Sequence, residues 1–280
     1  MGPDQRGLIQ GLIKVRLRED IPGEQLAREC GWTQSKVSKI ETGRTRPSVT
    51  DVEAWLDKTN VVGDERKELL ALADRVATDV ARWPDVNRNG FAHQQRARHE
   101  RETDAAEISI YQSKVVPGLF HTREYARCMF LSLGQSPDGI DDAVAARLER
   151  QDVLYVPSKT IKGVIVERVL RWRPGGAPVA VNLAQLDHLR AIAALPNVEI
   201  GIVSDRAQET ARSAEPFVLK RGEDYADVQV EILTRELTMN DADDVEKYAA
   251  MFAYQESIAV YGQEADELIR RNIAYLQQLL

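Results

Sequence analysis

The chain has 280 residues, 43% of them hydrophobic and 29% charged, enough for two globular domains with a sizeable apolar core. No apolar run approaches the roughly 20 residues of a membrane helix, and the opening "MGPDQRGLIQ" lacks the pattern of a secretion signal, so a cytoplasmic protein is expected. Residues 1–50 hold nine Lys/Arg against six Asp/Glu, a net +3, which leaves −10 on the rest of a chain at −7. A basic head on an acidic body directs the head toward a polyanion and the body away from it.

Residues Gln5–Arg18 place Leu8, Leu12, Val15 and Leu17 near helical spacing among basic residues. Pro22 breaks this pattern. "GEQLAREC" then sets Leu26, Ala27 and Cys30 at i, i+1 and i+4, and Gly31 is placed to end that helix. Cys30 and the distant Cys128 are read as free thiols rather than as a disulfide. Thr33 is positioned to cap a third helix, Gln34–Glu41. At about 100° per residue, Val37 and Ile40 share one side of it, Ser35, Ser38 and Lys39 the other, and Gln34 and Lys36 flank them. The outward residues are of the types that read base edges: Gln pairs with adenine, Lys approaches guanine and Ser suits either. Thr42-Gly43-Arg44-Thr45-Arg46 follows, an amide-rich basic turn suited to phosphate. After Pro47, a fourth helix capped by Ser48 or Thr50 turns Val52, Trp55 and Leu56 inward.

Taken alone, a polar face on an amphipathic helix is usually solvated. The ordered series "LAxxxGxTQxxVSxIExGRxxPS" goes further: residues 8–60 resemble the lambda-repressor-like, XRE-type helix-turn-helix family. That resemblance implies Gln34, Ser35, Lys36 and Lys39 as base readers, and Thr33, Thr42, Arg44 and Arg46 as phosphate contacts. The sequence departs from many relatives at Pro22-Gly23, where they place Gln or Thr at the start of the second helix.

Asp64–Val80 reads as a fifth helix with Leu69, Leu70, Leu72, Ala73 and Val76 on its apolar side. "RWPDVNRNGFAHQQRARHERETD" then combines a proline, an Asn-Gly turn and dense charge, so residues 81–100 are expected to form a hinge or connecting helix. This divides the chain into a five-helix head (1–80), that connection, and an α+β body (101–280). In the body, "KGVIVE" (162–167), "NVEIGIV" (197–203), "PFVLKR" (216–221) and "ADVQVEIL" (226–233) read as strands. Helices are expected over 138–155, 182–195, 241–258 and 262–280, the third capped by Asn240 or Asp241.

Nothing in the body points to catalysis. His93, His99, His121 and His188 lack ligand-like spacing, so neither a metal nor another cofactor is expected. "RPGGAP" (173–178) is a turn rather than a phosphate loop, and no nucleophile motif is present. "VVPGLFHTREYARCM" (115–129), "RLERQDVL" (147–154), "ERVLRWRPGG" (167–176) and "LRAIAALPNVEIGIV" (189–203) resemble the uncharacterised C-terminal domain of actinobacterial XRE-type regulators, among them WhiJ-like, antitoxin-like proteins. Pro117-Gly118 is expected as a turn, Leu119 and Tyr125 as core, and Trp172 over a strand end. Glu167, Arg171 and Arg173 around Trp172 form a candidate effector or partner site. The resemblance implies a DNA-binding transcription regulator; because a single small head reads too few base pairs to be selective, a homodimer on an inverted-repeat operator in double-stranded DNA is expected. Its input is a small partner protein encoded nearby or, alternatively, a small molecule in a pocket of the body.

Overall fold

A computed structural model describes residues 3–82, 90–134, 138–207, 215–232 and 235–280. The head is helical: α1 (Pro3–Arg18), α2 (Gly23–Cys30), α3 (Gln34–Glu41), α4 (Val49–Lys58) and α5 (Gly63–Ala77). These helices enclose one core, in which Leu8, Leu12, Val15, Leu26, Val37, Ile40, Leu56 and Ala73 surround Trp55. The Trp55 indole N–H donates to the Leu12 carbonyl at 3.1 Å, so its polar end is satisfied inside the core. Leu17, expected near the inward stripe, is 61% exposed. At about 100° per residue it lies half a turn around α1 from Leu8.

The local stops are chemical. Gly31 ends α2 at a φ of 70°, and Trp32 N–H returns to Ala27 O at 2.8 Å, a closure that suits a residue without a Cβ. Thr33 caps α3 by accepting from Lys36 N–H at 3.1 Å. Ser48, rather than Thr50, caps α4, in a reciprocal box with Asp51. Pro22, the residue before α2, gives that helix no side-chain cap.

The expected fifth helix stops at Ala77, three residues short of Val80. Thr78–Arg82 is instead strand β1, paired with β7 (Arg235–Met239) from Thr78↔Met239 to Arg82↔Arg235. Pairing that far along the chain overrides a local helical pattern, and the β-branched Thr and Val suit a strand. α6 (Phe91–Asp104) takes up the end of the expected connection, whose residues 83–89 lie outside the described residues.

The body contains β2 (Glu107–Gln112), α7 (Arg123–Ser132), α8 (Ile140–Glu149), β3 (Thr160–Val166), α9 (Val179–Ile192), β4 (Val198–Val203), β5 (Phe217–Arg221), β6 (Ala226–Ile232), β7, α10 (Ala242–Ile258) and α11 (Gly262–Gln277). Among the described residues, seven strands form one sheet in the order β1-β7-β6-β5-β2-β3-β4. β2, β3 and β4 run parallel; the remaining pairs are antiparallel. Helices cover both faces. Ile108, Ile110, Ile161, Ile165 and Ile202 pack with residues of α7, α9 and α11, including Tyr125, Leu189 and Leu268, and with Leu119. Tyr111, Val164, Phe217, Leu219, Val228 and Val230 pack on the other face against Val245 and Phe252 of α10. Burial on both faces is why β3 and β4 read as near-continuous apolar runs. Gly163 allows the parallel strands to sit against Phe120, since a Cβ there would come within 2.6 Å of the Phe120 ring.

The expected all-helical head and α+β body are both present. The expected helix over 138–155 divides, with Arg150–Tyr155 tightening into 3-10 turns. Asp241 caps α10 by accepting from Asp243 N–H at 3.0 Å. Cys30 and Cys128 are free thiols. Among the described residues, no helix is long and apolar enough to cross a membrane.

Candidate nucleic-acid interface

α3 separates its two faces cleanly. Val37 and Ile40 are buried, Gln34, Ser35 and Ser38 are exposed, and Lys39 is half-buried. Thr42 and Arg44 stand exposed in the turn beyond, which reverses at Gly43 with a φ of 73°. Holding Val37 and Ile40 in the head core therefore aims Gln34, Ser35 and Lys39 outward from a rigid element. Lys36 is drawn inward: its ammonium pairs with Asp51 at 2.7 Å and lies 4.6 Å from the Trp32 ring centroid. The first turn of α4 supplies that carboxylate, so Lys36 is less exposed than Gln34 and Ser35 beside it.

Two of the residues matched to phosphate contacts meet the body. Thr33 Oγ1 donates to Asp224 Oδ2 at 2.6 Å. The Arg46 carbonyl accepts from Asn240 Nδ2 at 2.9 Å, and the Arg46 guanidinium lies 3.5 Å from the Thr238 carbonyl. Asp224 belongs to the turn between β5 and β6; Thr238 and Asn240 lie at the end of β7. A cleft of about 340 Å³ separates the two surfaces, lined among others by Lys36, Arg46, Asp51, Arg221 and Glu246.

The body also buries a polar network that none of the expected sites anticipated. Arg150 pairs with Glu102, its Nε 2.9 Å from one carboxylate oxygen, and both side chains are less than a tenth exposed. Gln95 Oε1 accepts from Arg147 at 3.1 Å and from Arg150 at 2.5 Å. His121 lies 2.8 Å from the Val116 carbonyl through Nε2 and 3.1 Å from Arg147 through Nδ1. These contacts define a neutral imidazole that donates from Nε2 and accepts at Nδ1. Burial first, and the Arg147 cation second, hold its pKa well below the ordinary histidine value. The Arg147 guanidinium is likewise depressed, by burial and then by Arg150, and stacks 4.5 Å from the Phe130 ring centroid. The sequence signal was the spacing in "RLERQDVL": Arg147 and Arg150 fall one turn apart on a face that carries buried residues.

The family described as a domain of unknown function, DUF5753, matches residues 95–271. The chain belongs to that family. A helix-turn-helix domain matches residues 14–69, which span the end of α1 to the middle of α5. No curated protein matches the sequence. Among the solved structures that match, two illustrate a weak overall likeness. One is TrmBL2, an archaeal chromatin protein described as showing a novel mode of DNA binding, 12% identical over 80% of this chain and 68% of its own, with a TM-score of 0.33. The other is Nuc, a phospholipase D family member from Salmonella typhimurium, 11% identical over 66% of this chain and 97% of its own, with a TM-score of 0.31.

Within the DUF5753 domain, the candidate effector residues lie where β3 ends. Glu167 accepts from Ser204 Oγ and Asp205 N–H, both at 3.0 Å, and from Asn272 Nδ2 at 3.2 Å. Burial would raise its pKa, but these donors, the Asp205 amide foremost, hold it below the ordinary carboxylate value. Arg171 pairs with Asp205 beside Tyr275, Arg173 donates to the Ala177 carbonyl at 3.3 Å, and Trp172 is 38% exposed. Glu167 and Arg171 thus tie the end of β3 to the segment after β4 and to α11. Elsewhere in the domain an open groove of about 810 Å³ runs between α9, β4, α10 and α11, with Arg190, Glu199, Glu256, Tyr261 and Asp266 on its walls. Among the described residues, no group of three or more His, Cys, Asp or Glu side chains is placed to hold a metal ion.

Proposed function

We propose that this chain is a sequence-specific DNA-binding transcription regulator of the XRE type, working in the cytoplasm as a homodimer on an inverted repeat and catalysing no reaction. The supporting observation is the orientation of α3: two branched residues anchor it while Gln34, Ser35 and Lys39 face outward from its first two turns. That is the presentation a helix needs to enter the major groove by its N-terminal end. One head reads too few base pairs for selectivity, so half-sites about 34 Å apart are expected. The DUF5753 domain then acts as the input module. On the motif resemblance it is antitoxin-like and takes a small partner protein at the exposed edge around Trp172, beside Glu167, Arg171 and Arg173. The alternative, a small-molecule input, is favoured by the groove over β4, whose walls carry convergent polar groups.

The deciding experiment is selection of bound duplexes from random DNA by the full chain, followed by sedimentation of the complex. An enriched inverted repeat bound by two copies is expected. Failure to enrich any sequence removes the reading, and a single copy on the site removes the dimer.

A further inference from the structure

We propose that the body of this protein competes with DNA for the head, with Asp224 occupying the place of a backbone phosphate at the N-terminus of α3. The proposal rests on the reading of Thr33 and Arg46 as phosphate contacts. Thr33 has one hydroxyl proton. Its oxygen already accepts from Lys36 N–H at 3.1 Å, and its proton is given to Asp224 Oδ2 at 2.6 Å. A phosphate gripped by Thr33 would need that same proton. The start of a helix favours an anion, because its first amides point outward unpaired and its dipole is positive there. A carboxylate brought to that point therefore satisfies the same local chemistry as a phosphate oxygen.

The overlap extends beyond one bond. On the far side of the cleft, the Arg46 guanidinium meets the Thr238 carbonyl at 3.5 Å, while Asn240 Nδ2 donates to the Arg46 backbone carbonyl and fixes the main chain there. The two ends of the surface expected to straddle a DNA backbone are thus both occupied, one by the β5–β6 turn and one by the end of β7. Gln34, Ser35 and Arg44 remain exposed between and beyond them. A DNA strand at Thr33 would have to pass where Asp224 sits, so the duplex and the docked body exclude each other. The competitor is also tethered. α5 runs without a break into β1, and β1 is paired along its length with β7 of the same sheet. Tethering keeps Asp224 at high effective concentration beside Thr33, so one hydrogen-bonded carboxylate competes with a polyanion in solution. Anything that moves the β5–β6 turn or the β7 end then changes DNA affinity without touching the reading helix.

The test compares DNA binding by the full-length wild type, Asp224→Ala, Glu223→Ala and Lys39→Ala, on the selected operator and on random duplex. Glu223 is the exposed neighbour of Asp224 in the same turn, and its substitution removes the same charge without touching the Thr33 contact. Asp224→Ala, which removes the acceptor of the Thr33 proton, is expected to tighten binding to both DNAs within the roughly 5–150-fold range of site-to-site coupling, well beyond Glu223→Ala. Hydrogen exchange in residues 222–226 of the wild type should accelerate when operator is added, as the turn is displaced. Equal gains in Asp224→Ala and Glu223→Ala would reduce the effect to bulk charge and overturn the competition. So would unchanged affinity in Asp224→Ala while Lys39→Ala still weakens operator binding; that outcome leaves the DNA-reading helix standing. If no variant binds any DNA, the competition falls together with the reading beneath it.

Discussion

The head and the body use the same polar residues in opposite ways. In the head, Gln34, Ser35 and Arg44 stand in solvent, and α3 owes its stability to Val37 and Ile40 beneath them. In the body, Gln95, Arg147 and Arg150 are buried and held by one another and by Glu102. A glutamine or arginine in the sequence is therefore ambiguous until its surroundings are known. Outward, it is cheap for the fold and available to a ligand. Inward, it is costly to bury and serves to fix how α6, α8 and the turns after α8 meet. The two regions should accordingly respond in opposite ways to substitution, one in binding and the other in stability.

The sharpest break of that comparison is at Arg150. Arg150→Ala leaves Glu102 buried without its partner and is expected to cost about 3–5 kcal/mol of stability, measured as a lower urea midpoint with an unchanged slope. Full stability in this variant would show that the buried network does not hold the body. At Lys39 the expectation reverses: Lys39→Ala should lose about 1–3 kcal/mol of operator affinity and relax sequence preference, with the urea midpoint essentially unmoved. A change in stability without one in binding would make α3 a structural helix only.

The network also predicts a pH response. In the folded protein His121 is depressed by burial and by Arg147, and His188 is depressed by burial. The unfolded chain therefore binds protons that the folded chain refuses once the pH falls below the free histidine value of about 6.5, so stability drops as pH falls through that point and is level above it. Each histidine contributes at most about 1.4 kcal/mol per pH unit. Groups facing His121 include the Arg147 and Arg150 cations, which reinforce the direction. His121→Asn should flatten the slope of stability between pH 5 and 6.5, as followed by urea titrations at each pH; an unaltered slope would place the response elsewhere. The smallest effect is expected at Ser48, where Ser48→Ala removes one half of the α4 capping box and should cost about 1 kcal/mol, read from thermal unfolding.

These contrasts explain which parts of the molecule the sequence disclosed. The head is built from local signals: Gly31 and Thr33 stop one helix and start the next, and three- and four-residue spacing names Val37, Ile40, Trp55 and Leu56 as core. The outward residues of α3 follow from the same spacing. Strands β3 to β6 were legible because burial on both faces enriches them in Val, Ile and Leu. β2 and β7 were not. "EISIYQ" interleaves Ser and Glu with its apolar residues, and "RELTM" buries Glu236 and Thr238, so both are strands by virtue of their neighbours rather than their composition. Thr78–Arg82 was hidden in the same way, since its partner lies more than 150 residues away. The contact between Thr33 and Asp224 joins residues 191 apart, and Arg150 reaches Glu102 across 48. No pattern of local spacing carries such pairs.

Strand β1 has a practical meaning for anyone dividing this chain. It belongs to the sheet of the body but is delivered by the last helix of the head, and it forms one edge of that sheet, beside β7. A fragment beginning at residue 85 would lack it and would present the bare hydrogen-bonding edge of β7, a template for another chain to add on. Cutting before Thr78 instead keeps the edge strand in place. Of the two fragments, the one that starts earlier is expected to stay soluble at concentrations where the shorter one aggregates, and their light scattering on a common concentration series would reveal it.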